Sequence, residues 1–354
     1  LPCSNCLLED YEEDKIQYFT FSQCVQSAMN SENDLICHTH ANIPLSITAP
    51  DVLFSFTTII SEDTLVIGEK LGSGGFGDVY CADWNNGDKG TIKVAIKELS
   101  ANQMNGDEME NTKLKFRDFF SEVCFMKQLK HKCIVSLHGI RLNPLGMIME
   151  YLPNGNLFTL LSSPTILSWS TRIRIAYDIA EAMAYMESCQ LVHRDLRTEN
   201  ILIASLMEDS PVRAKLADFG LSRQLLSASV EFGHDIWQYN PPERLQDNIY
   251  DIKSDVYSFS ICCWEIASRK IPYQEWDDND KYFKVLKNGK KEIRLFKVKK
   301  DIINGLRPAI ELVDINTPTS FIKLIKSCWE GNPNDRPSFI EVAETLRQIK
   351  QIHY

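Results

Sequence analysis

The stretch that decides the fold runs from Val192 to Gly220. It reads VHRDLRTENILI, then a short polar excursion, then AKLADFG. Two apolar runs, Ile201–Leu206 and Val212–Ala217, lie on either side of the excursion and are typical of short β-strands. Asn200 stands before the first run and Asp218 follows the second. We therefore predict a strand pair that brings an amide and a carboxylate to the same end.

His193-Arg194-Asp195 with Asn200, followed by Asp218-Phe219-Gly220, resembles the catalytic and metal-binding loops of the protein kinases. The resemblance implies transfer of the γ-phosphoryl group of ATP to a protein hydroxyl. Asp195 would orient that hydroxyl and accept its proton. Asn200 and Asp218 would supply the hard oxygen ligands that Mg²⁺ prefers.

Composition limits the possible classes of protein. The 354 residues suffice for two or three folded units, and the net charge of −10 argues against nucleic acid or an anionic membrane as main partner. No apolar run approaches the roughly 20 residues of a membrane span. The start, LPCSNC, lacks a methionine and a signal-peptide pattern, which indicates a segment of a longer polypeptide. The odd number of cysteines, 11, and the adjacent Cys262 and Cys263 favour a reduced, cytoplasmic compartment.

Residues 1–60 contain a Cys-x-x-Cys and a Cys-x-x-His element. The four residues with zinc-like spacing are Cys3, Cys6, Cys37 and His40. His38 could replace His40, and Cys24 is a further candidate or a core residue. The alternative is that these are core thiols and exposed imidazoles, because the two pairs lie far apart in the sequence.

A glycine-rich hairpin begins the next region. From Thr64 the sequence reads TLVIGEKLGSGGFGDVY, which predicts two strands joined by glycines. Dinucleotide-binding folds place a helix directly after such glycines, whereas a second strand, Asp78–Trp84, follows here and favours the kinase loop. The resemblance implies nucleotide contacts from Leu71, Gly72, Ser73, Gly74, Gly75, Phe76, Gly77 and Val79.

Lys97 ends the run KVAIK and, by the resemblance, binds the α- and β-phosphates. A helix predicted from about Phe116 to Leu129 presents one apolar stripe, and Glu122 beside the stripe can face Lys97. Glu108 and Glu110 are competing partners, but they lie in a polar insert, Ser100–Lys115, that has no such stripe.

The nucleotide base would be held where the two lobes join. We predict a strand pair, Cys133–Leu137 with Leu145–Tyr151, around a turn at Asn143-Pro144. The resemblance implies adenine contacts from Ala95, Met149, Glu150, Leu152 and Leu202.

Further motifs continue the resemblance to about Ile349. An amphipathic helix is predicted over Trp169–Ser188, and a buried helix that begins at Asp255, whose carboxylate would bind the catalytic-loop backbone. Glu243 in Pro-Pro-Glu would pair with Arg336. Residues 281–300 carry eight Lys and one Arg, which indicates either a solvated helix face or a docking or phosphate-binding surface.

Several details resemble the tyrosine-kinase-like branch and, within it, the Roco (leucine-rich-repeat kinase) family. They are HRDLRTEN with Arg197 as a further catalytic-loop residue, the long link between Ile201 and Gly220, GLRPAI, and CWEGNPNDRP. Residues 1–60 resemble the tail of a COR domain, which implies an upstream Roc GTPase module. Two residues depart from the pattern of serine/threonine kinases. Arg197 stands where these kinases usually have Lys, and Ile236 stands where they usually have a residue with a hydroxyl group.

The resemblance implies an α+β, two-lobed protein-kinase fold. Residues 61–152 would form a small antiparallel-sheet lobe with one regulatory helix, and 153–354 a larger, mostly helical lobe, after a Cys/His-containing segment, 1–60. We expect a serine/threonine protein kinase using ATP and Mg²⁺; the alternatives are a pseudokinase scaffold and a dual-specificity or tyrosine kinase. Phosphorylation between Asp218 and Glu243 is a candidate switch, with Arg194 as the cationic partner of the phosphate. Ser227 and Ser229 are better placed for it than Ser222, which lies too near the expected Mg²⁺ site to reach Arg194.

Overall fold

The computed structural model describes residues 57–74, 77–87, 90–99, 119–224, 237–274, 283–285 and 291–353. They divide into two units. The first comprises the described residues up to Lys130 together with Val135–Tyr151, and the second His131–Ile134 with the residues from Leu152 onward. The candidate zinc ligands Cys3, Cys6, Cys37 and His40 lie outside the described residues.

The first unit contains an antiparallel sheet with the order β1-β2-β3-β5-β4. Its strands are β1 (Leu65–Gly74), β2 (Gly77–Asn85), β3 (Thr91–Glu98), β4 (Leu137–Leu142) and β5 (Leu145–Glu150). A helix, α1, covers residues 119–128. The predicted combination of an antiparallel sheet with one helix is therefore present.

The two faces of this sheet have different characters because side chains alternate along each strand. One face packs into an apolar cluster that includes Val94, Ile96 and Ile148. Lys97 lies opposite Val79, and Ala95 lies opposite Met149. Alternation along β3 therefore puts Val79, Ala95, Lys97 and Met149 on the other face.

The predicted position of the first strand of the pair was wrong. Cys133–Leu137 was expected, but the strand is Leu137–Leu142, and Cys133, Ile134 and Val135 are buried before it. The strand is hard to recognise because it contains Gly139 and a buried Arg141. Gly139 is required by packing, since a Cβ there would lie 2.3 Å from the Thr58 carbonyl oxygen.

The residues just before β1 pack against β4. Ile60 N donates to Ile140 O at 2.8 Å, and Ile140 N donates to Thr58 O at 2.9 Å. Ile60 itself belongs to the apolar cluster of the sheet. Thr57 is also buried, so the packing of the first unit extends back to this residue, four residues before the predicted boundary.

The second unit is mostly helical. Its helices are α2 (Leu157–Ser162), α3 (Trp169–Ser188), α4 (Pro242–Asp247), α5 (Ile252–Ser268), α6 (Leu295–Ile303), α7 (Thr319–Cys328) and α8 (Phe339–His353). Helix α3 has the predicted bounds. Helix α5 begins three residues earlier than predicted, because the Asp251 side chain accepts a hydrogen bond from Ser254 N and caps it.

Short strands organise the central loops of this unit. β6 (Leu191–Val192) pairs with β9 (Arg223–Gln224), and β7 (Ile201–Ile203) pairs with β8 (Ala214–Leu216). β7 and β8 are shorter than the predicted runs, because the chain between them leaves the ladder. Residues 281–300 are not one helical face: β10 (Phe283–Val285) and β11 (Lys291–Ile293) pair before α6 begins.

Most of the cysteines that the structure describes are core residues. Among the described residues the seven cysteines are free thiols, and Cys81, Cys133, Cys262, Cys263 and Cys328 are buried. In the described part of the chain, no helix combines the length and apolar character needed to cross a bilayer.

Candidate active site

Lys97 and Glu122 form a buried ion pair in the first unit. Lys97 Nζ lies 2.7 Å from Glu122 Oε1 and 2.9 Å from Oε2. The Glu122 side chain is 1% exposed and that of Lys97 11%. The predicted pairing is present, with β3 supplying the lysine and α1 the glutamate. The competitors Glu108 and Glu110 lie outside the described residues.

The glycine hairpin has free space beside its first glycine, Gly72. Gly72 pairs with Val79, and Gly74 pairs with Gly77, whose φ of 148° favours glycine. A Cβ at Gly72 would meet no atom within 4 Å, so the packing of the unit does not require glycine there. A phosphate chain lying against this backbone would require it. Ser73 is exposed, while Gly75 and Phe76 lie outside the described residues.

The residues predicted to hold adenine belong to both units. Val79, Ala95 and Met149 share the sheet face of Lys97. Glu150 N donates to Ser136 O at 2.9 Å, which fixes the end of β5. Leu71 is exposed on β1, whereas Leu152 and Leu202 belong to the second unit.

Asp195 and Asn200 are held together in the second unit. The Asn200 amide nitrogen donates to Asp195 Oδ2 at 2.7 Å and to the Asp195 carbonyl oxygen at 2.8 Å. Burial raises the pKa of Asp195 to about 6, against the lowering effect of Arg197 and Asn200. The carboxylate is therefore mostly ionised at neutral pH and a stronger base than an ordinary aspartate.

The backbone around Asp195 is fixed by Asp255 of helix α5. Its carboxylate accepts hydrogen bonds from His193 N at 2.7 Å and Arg194 N at 3.0 Å, as the resemblance predicted. The Tyr250 hydroxyl donates to the same carboxylate at 2.7 Å. Arg194 adopts a positive φ of 71°, a strained conformation that these bonds help to hold.

His193 connects this loop to the residues before Asp218. Its Nε2 lies 3.2 Å from Ala217 O and must donate, because a carbonyl can only accept. Asp195 N donates to Nδ1 at 3.3 Å. Burial lowers the pKa of His193 to about 4, so the ring stays neutral and keeps both bonds at physiological pH. Ala217 N also donates to Asn200 O at 2.9 Å, which brings the two predicted metal ligands into neighbouring segments.

Asn200 and Asp218 have the chemistry of a magnesium site. The Asn200 nitrogen is turned toward Asp195, so its oxygen is the atom left to face a cation. Within the described residues no group of three or more His, Cys, Asp or Glu side chains is arranged to hold a metal. A site of one carboxylate and one amide oxygen fits Mg²⁺, which usually keeps waters and binds substrate phosphates.

Three polar residues around this loop were not recognised from the sequence: Thr198 of the loop itself, Tyr239, and Glu265 of helix α5. Thr198 Oγ1 donates to Glu265 Oε1 at 3.2 Å, and the Tyr239 hydroxyl donates to Glu265 Oε2 at 2.8 Å. Burial raises the pKa of Glu265 to about 8. A glutamate within the apolar run ICCWEIA was the available signal. Arg197, predicted as catalytic, donates from Nε to Glu199 Oε2 at 2.9 Å.

The segment after Asp218 is described only in part. Ser222 is buried, and its Oγ donates to His193 O at 3.3 Å, so this hydroxyl is not accessible to a kinase here. Ser227, Ser229 and Ile236 lie outside the described residues. Beyond them, both Arg336 Nη atoms donate to the Glu243 carboxylate at 2.8 Å, which confirms the predicted pair.

Residues 65–346 match the sequence model of the family described as protein tyrosine and serine/threonine kinase. The chain belongs to this family. The kinase motifs quoted above, from the glycine hairpin to Arg336, fall within the matched range.

Named relatives come from Dictyostelium discoideum. Probable serine/threonine-protein kinase roco11 is 33% identical over 352 residues, which cover 98% of the chain and 22% of that relative. Probable serine/threonine-protein kinase roco7 is 34% identical over 299 residues, 83% of the chain and 10% of the relative. Probable serine/threonine-protein kinase pats1 is 33% identical over 365 residues, 99% and 10% respectively. The kinase chain thus spans about a tenth to a fifth of the length of these relatives, and the Roco resemblance extends over most of the chain.

Proposed function

We propose that this kinase domain is an active enzyme that transfers the γ-phosphoryl group of ATP to serine or threonine hydroxyls of proteins. The observation that carries the proposal is the fixed Asp195 carboxylate, which Asn200 holds at 2.7 Å on a loop anchored by Asp255. A pseudokinase scaffold would need neither a positioned general base such as Asp195 nor a lysine oriented by an ion pair, as Lys97 is.

In the proposed reaction, Asp195 orients the substrate hydroxyl and accepts its proton. A pKa of about 6, raised by burial, supports this role, since the group is ionised yet basic near neutral pH. Arg197 is the adjacent cation and stabilises negative charge beside Asp195. Its bond to Glu199 limits the directions in which it can point.

The remaining residues bind and orient the nucleotide. Asn200 and Asp218 are the proposed ligands of Mg²⁺, which, when bound, neutralises phosphate charge and aligns the transferred group. Lys97, directed by Glu122, binds the α- and β-phosphates. The adenine and loop contacts are assigned to Leu71, Gly72, Ser73, Gly74, Gly75, Phe76, Gly77, Val79, Ala95, Met149, Glu150, Leu152 and Leu202.

Serine/threonine specificity is supported by the names of the relatives, each of which reads probable serine/threonine-protein kinase. Arg197 and Ile236 depart from the usual pattern of that class, so a dual-specificity or tyrosine kinase is the alternative. The Roco names of two of these relatives support an upstream Roc GTPase module in the whole protein. A COR-like tail in residues 1–60 and a cytoplasmic location are further parts of the proposal.

Radiolabelled transfer from ATP to a general protein substrate tests the proposal. We expect incorporation by the unmodified chain and none by Asp195→Ala, with both proteins unfolding at similar temperatures. Phosphoamino-acid analysis of the product then separates serine and threonine from tyrosine. Absence of transfer by a folded protein that still binds ATP would favour the pseudokinase.

A further inference from the structure

A buried arginine in the second unit lacks a counter-ion. Arg213 immediately precedes β8 and is only 2% exposed, and its Nε and Nη1 atoms have no hydrogen-bond partner. A guanidinium does not lose its proton in proteins, so burial cannot be relieved by neutralisation. Burying an unpaired charge is costly, and an anion is the group that would remove this cost.

The position of Arg213 is fixed by its backbone. Arg213 N donates to Asp178 Oδ2 of helix α3 at 2.6 Å. The Arg213 carbonyl oxygen accepts from Ala204 N at 2.8 Å and Ser205 N at 3.3 Å. These backbone hydrogen bonds therefore fix the position of the Arg213 Cα between α3 and the loop that joins β7 to β8.

Arg174 of helix α3 lies beside the same loop. Its Nη2 donates to Ser210 O at 3.0 Å and Pro211 O at 3.2 Å, while its Nε is buried without a partner. The pKa of Arg213 is lowered first by burial and then by the Arg174 charge, so the two guanidinium groups are close enough to repel each other.

Lys350 of helix α8 adds a third cation. Its Nζ lies 5.9 Å from the centre of the Tyr177 ring of α3. Burial and then the positive charge of Arg174 lower the pKa of Lys350. Arg174 therefore lies within electrostatic range of both Arg213 and Lys350.

The nearby acids form no ion pair with these cations. Asp178 Oδ2 is occupied by the N–H groups of Arg213 and Ala214, and burial raises the pKa of Asp178. Glu208 and Asp209 are exposed on the loop and act on Arg213 only through space. Among the described residues, no carboxylate lies within 4 Å of a charged nitrogen of Arg174, Arg213 or Lys350.

We propose that Arg213, Arg174 and Lys350 form a binding site for a phosphate monoester, built from residues that the proposed catalytic machinery does not use. A phosphate monoester carries a charge of about −1.5 to −2 and three acceptor oxygens, and guanidinium groups bind it through paired N–H bonds. Met207, Glu208 and Asp209, in the loop that leads to Arg213, are exposed, so a ligand can approach this part of the second unit from solvent. Inorganic phosphate and a phosphorylated side chain share this chemistry.

The test measures phosphate binding with the nucleotide site occupied. The 354-residue chain, saturated with a non-hydrolysable ATP analogue, is titrated with inorganic phosphate and followed by calorimetry and thermal unfolding. We expect phosphate to bind and to raise the unfolding temperature. Arg213→Gln should bind at least about tenfold more weakly, since charge-assisted hydrogen bonds are lost. In phosphate-free buffer it should be at least as stable as the unmodified chain, because an unpaired buried charge is removed.

Controls separate this site from a general charge effect. Lys300→Gln removes one exposed lysine of α6 and should leave phosphate binding unchanged. Glu208→Gln with Asp209→Asn removes the competing acids and should tighten binding. Equal phosphate binding by Arg213→Gln, or none by the unmodified chain, would overturn the proposal. If Arg213→Gln does not fold, Lys350→Gln decides: weakened binding supports the site, and unchanged binding refutes it.

The source of the phosphate is resolved by a second titration. A short peptide with one phosphoserine is compared with the same peptide without phosphate. Binding of the phosphopeptide, but not of the same peptide without phosphate, indicates a site for phosphorylated protein segments. Binding of inorganic phosphate but not of the phosphopeptide indicates a site for a small phosphate. Either result requires loss of binding in Arg213→Gln.

Discussion

Replacing Glu122 by glutamine tests the proposed role of Lys97 with the smallest change in shape. Lys97 Nζ contacts both carboxylate oxygens, at 2.7 and 2.9 Å, in a nearly dry environment. Glutamine keeps one of the two oxygens and loses the charge. The substitution therefore weakens the contact that orients the Lys97 side chain, and it leaves no cavity.

The expected size follows from the bonds that are lost. One charge-assisted hydrogen bond is worth roughly 1.5–3 kcal/mol. If the whole loss falls on the transition state, kcat decreases by about 10- to 150-fold. KM for ATP should change less, because the glycine hairpin and the adenine contacts remain.

Steady-state transfer assays over a range of ATP concentrations measure both constants. Asp83→Asn is the matched control, since Asp83 forms an exposed pair with Lys93 at 3.1 Å on the same sheet. Exposed pairs contribute about 0–1 kcal/mol, so this variant should keep its kcat. Full activity of Glu122→Gln, with a normal unfolding transition, would refute the proposed role of the pair.

Three further changes test other parts of the molecule. Asp218→Asn replaces a charged Mg²⁺ ligand by a neutral amide oxygen and should lower transfer by at least about 10²- to 10³-fold. Asparagine is chosen because Asp218 has a φ of 60°, which alanine tolerates poorly. Unchanged turnover would exclude the metal assignment. Glu243→Gln breaks the buried pair with Arg336 and should lower the free energy of unfolding by about 3–5 kcal/mol in urea titrations, whereas Glu344→Gln, in an exposed pair with Arg347, should lower it by less than about 1 kcal/mol. Burial raises the pKa of Glu265 to about 8, so its contribution to stability is full below about pH 4.5 and is lost as pH rises through 8. Across this window the free energy of unfolding of the unmodified chain should fall by about 1.4 kcal/mol per pH unit relative to Glu265→Gln. Parallel pH profiles of the two proteins would contradict the assignment.

Elements with a regular apolar period could be predicted closely from the sequence. Helix α3 has the predicted bounds, because its stripe is continuous and Ser168 caps its first turn by accepting from Thr171 N. The pair of Glu243 and Arg336 was predicted from motifs although 93 residues separate them.

Elements that depend on tertiary contacts could not be predicted in the same way. Strand β4 contains Gly139 and Arg141, and only the approach of Thr58 and the partner Glu98 explain these residues. The described parts of the basic stretch after residue 281 form two paired strands and then a helix, which its lysines do not reveal. Glu265 was missed because a carboxyl within an apolar helix shows its role only through Thr198 and Tyr239.

The contact between Thr58, Ile60 and strand β4 has a practical consequence. β4 is an edge strand of its sheet, and the backbone bonds of Ile140 are taken up by the residues just before β1. A fragment that begins at Ser61 would expose this edge, and exposed edges pair with other chains and promote aggregation. Fragments prepared for biochemistry should therefore begin before Thr57, even though the family match begins only at residue 65.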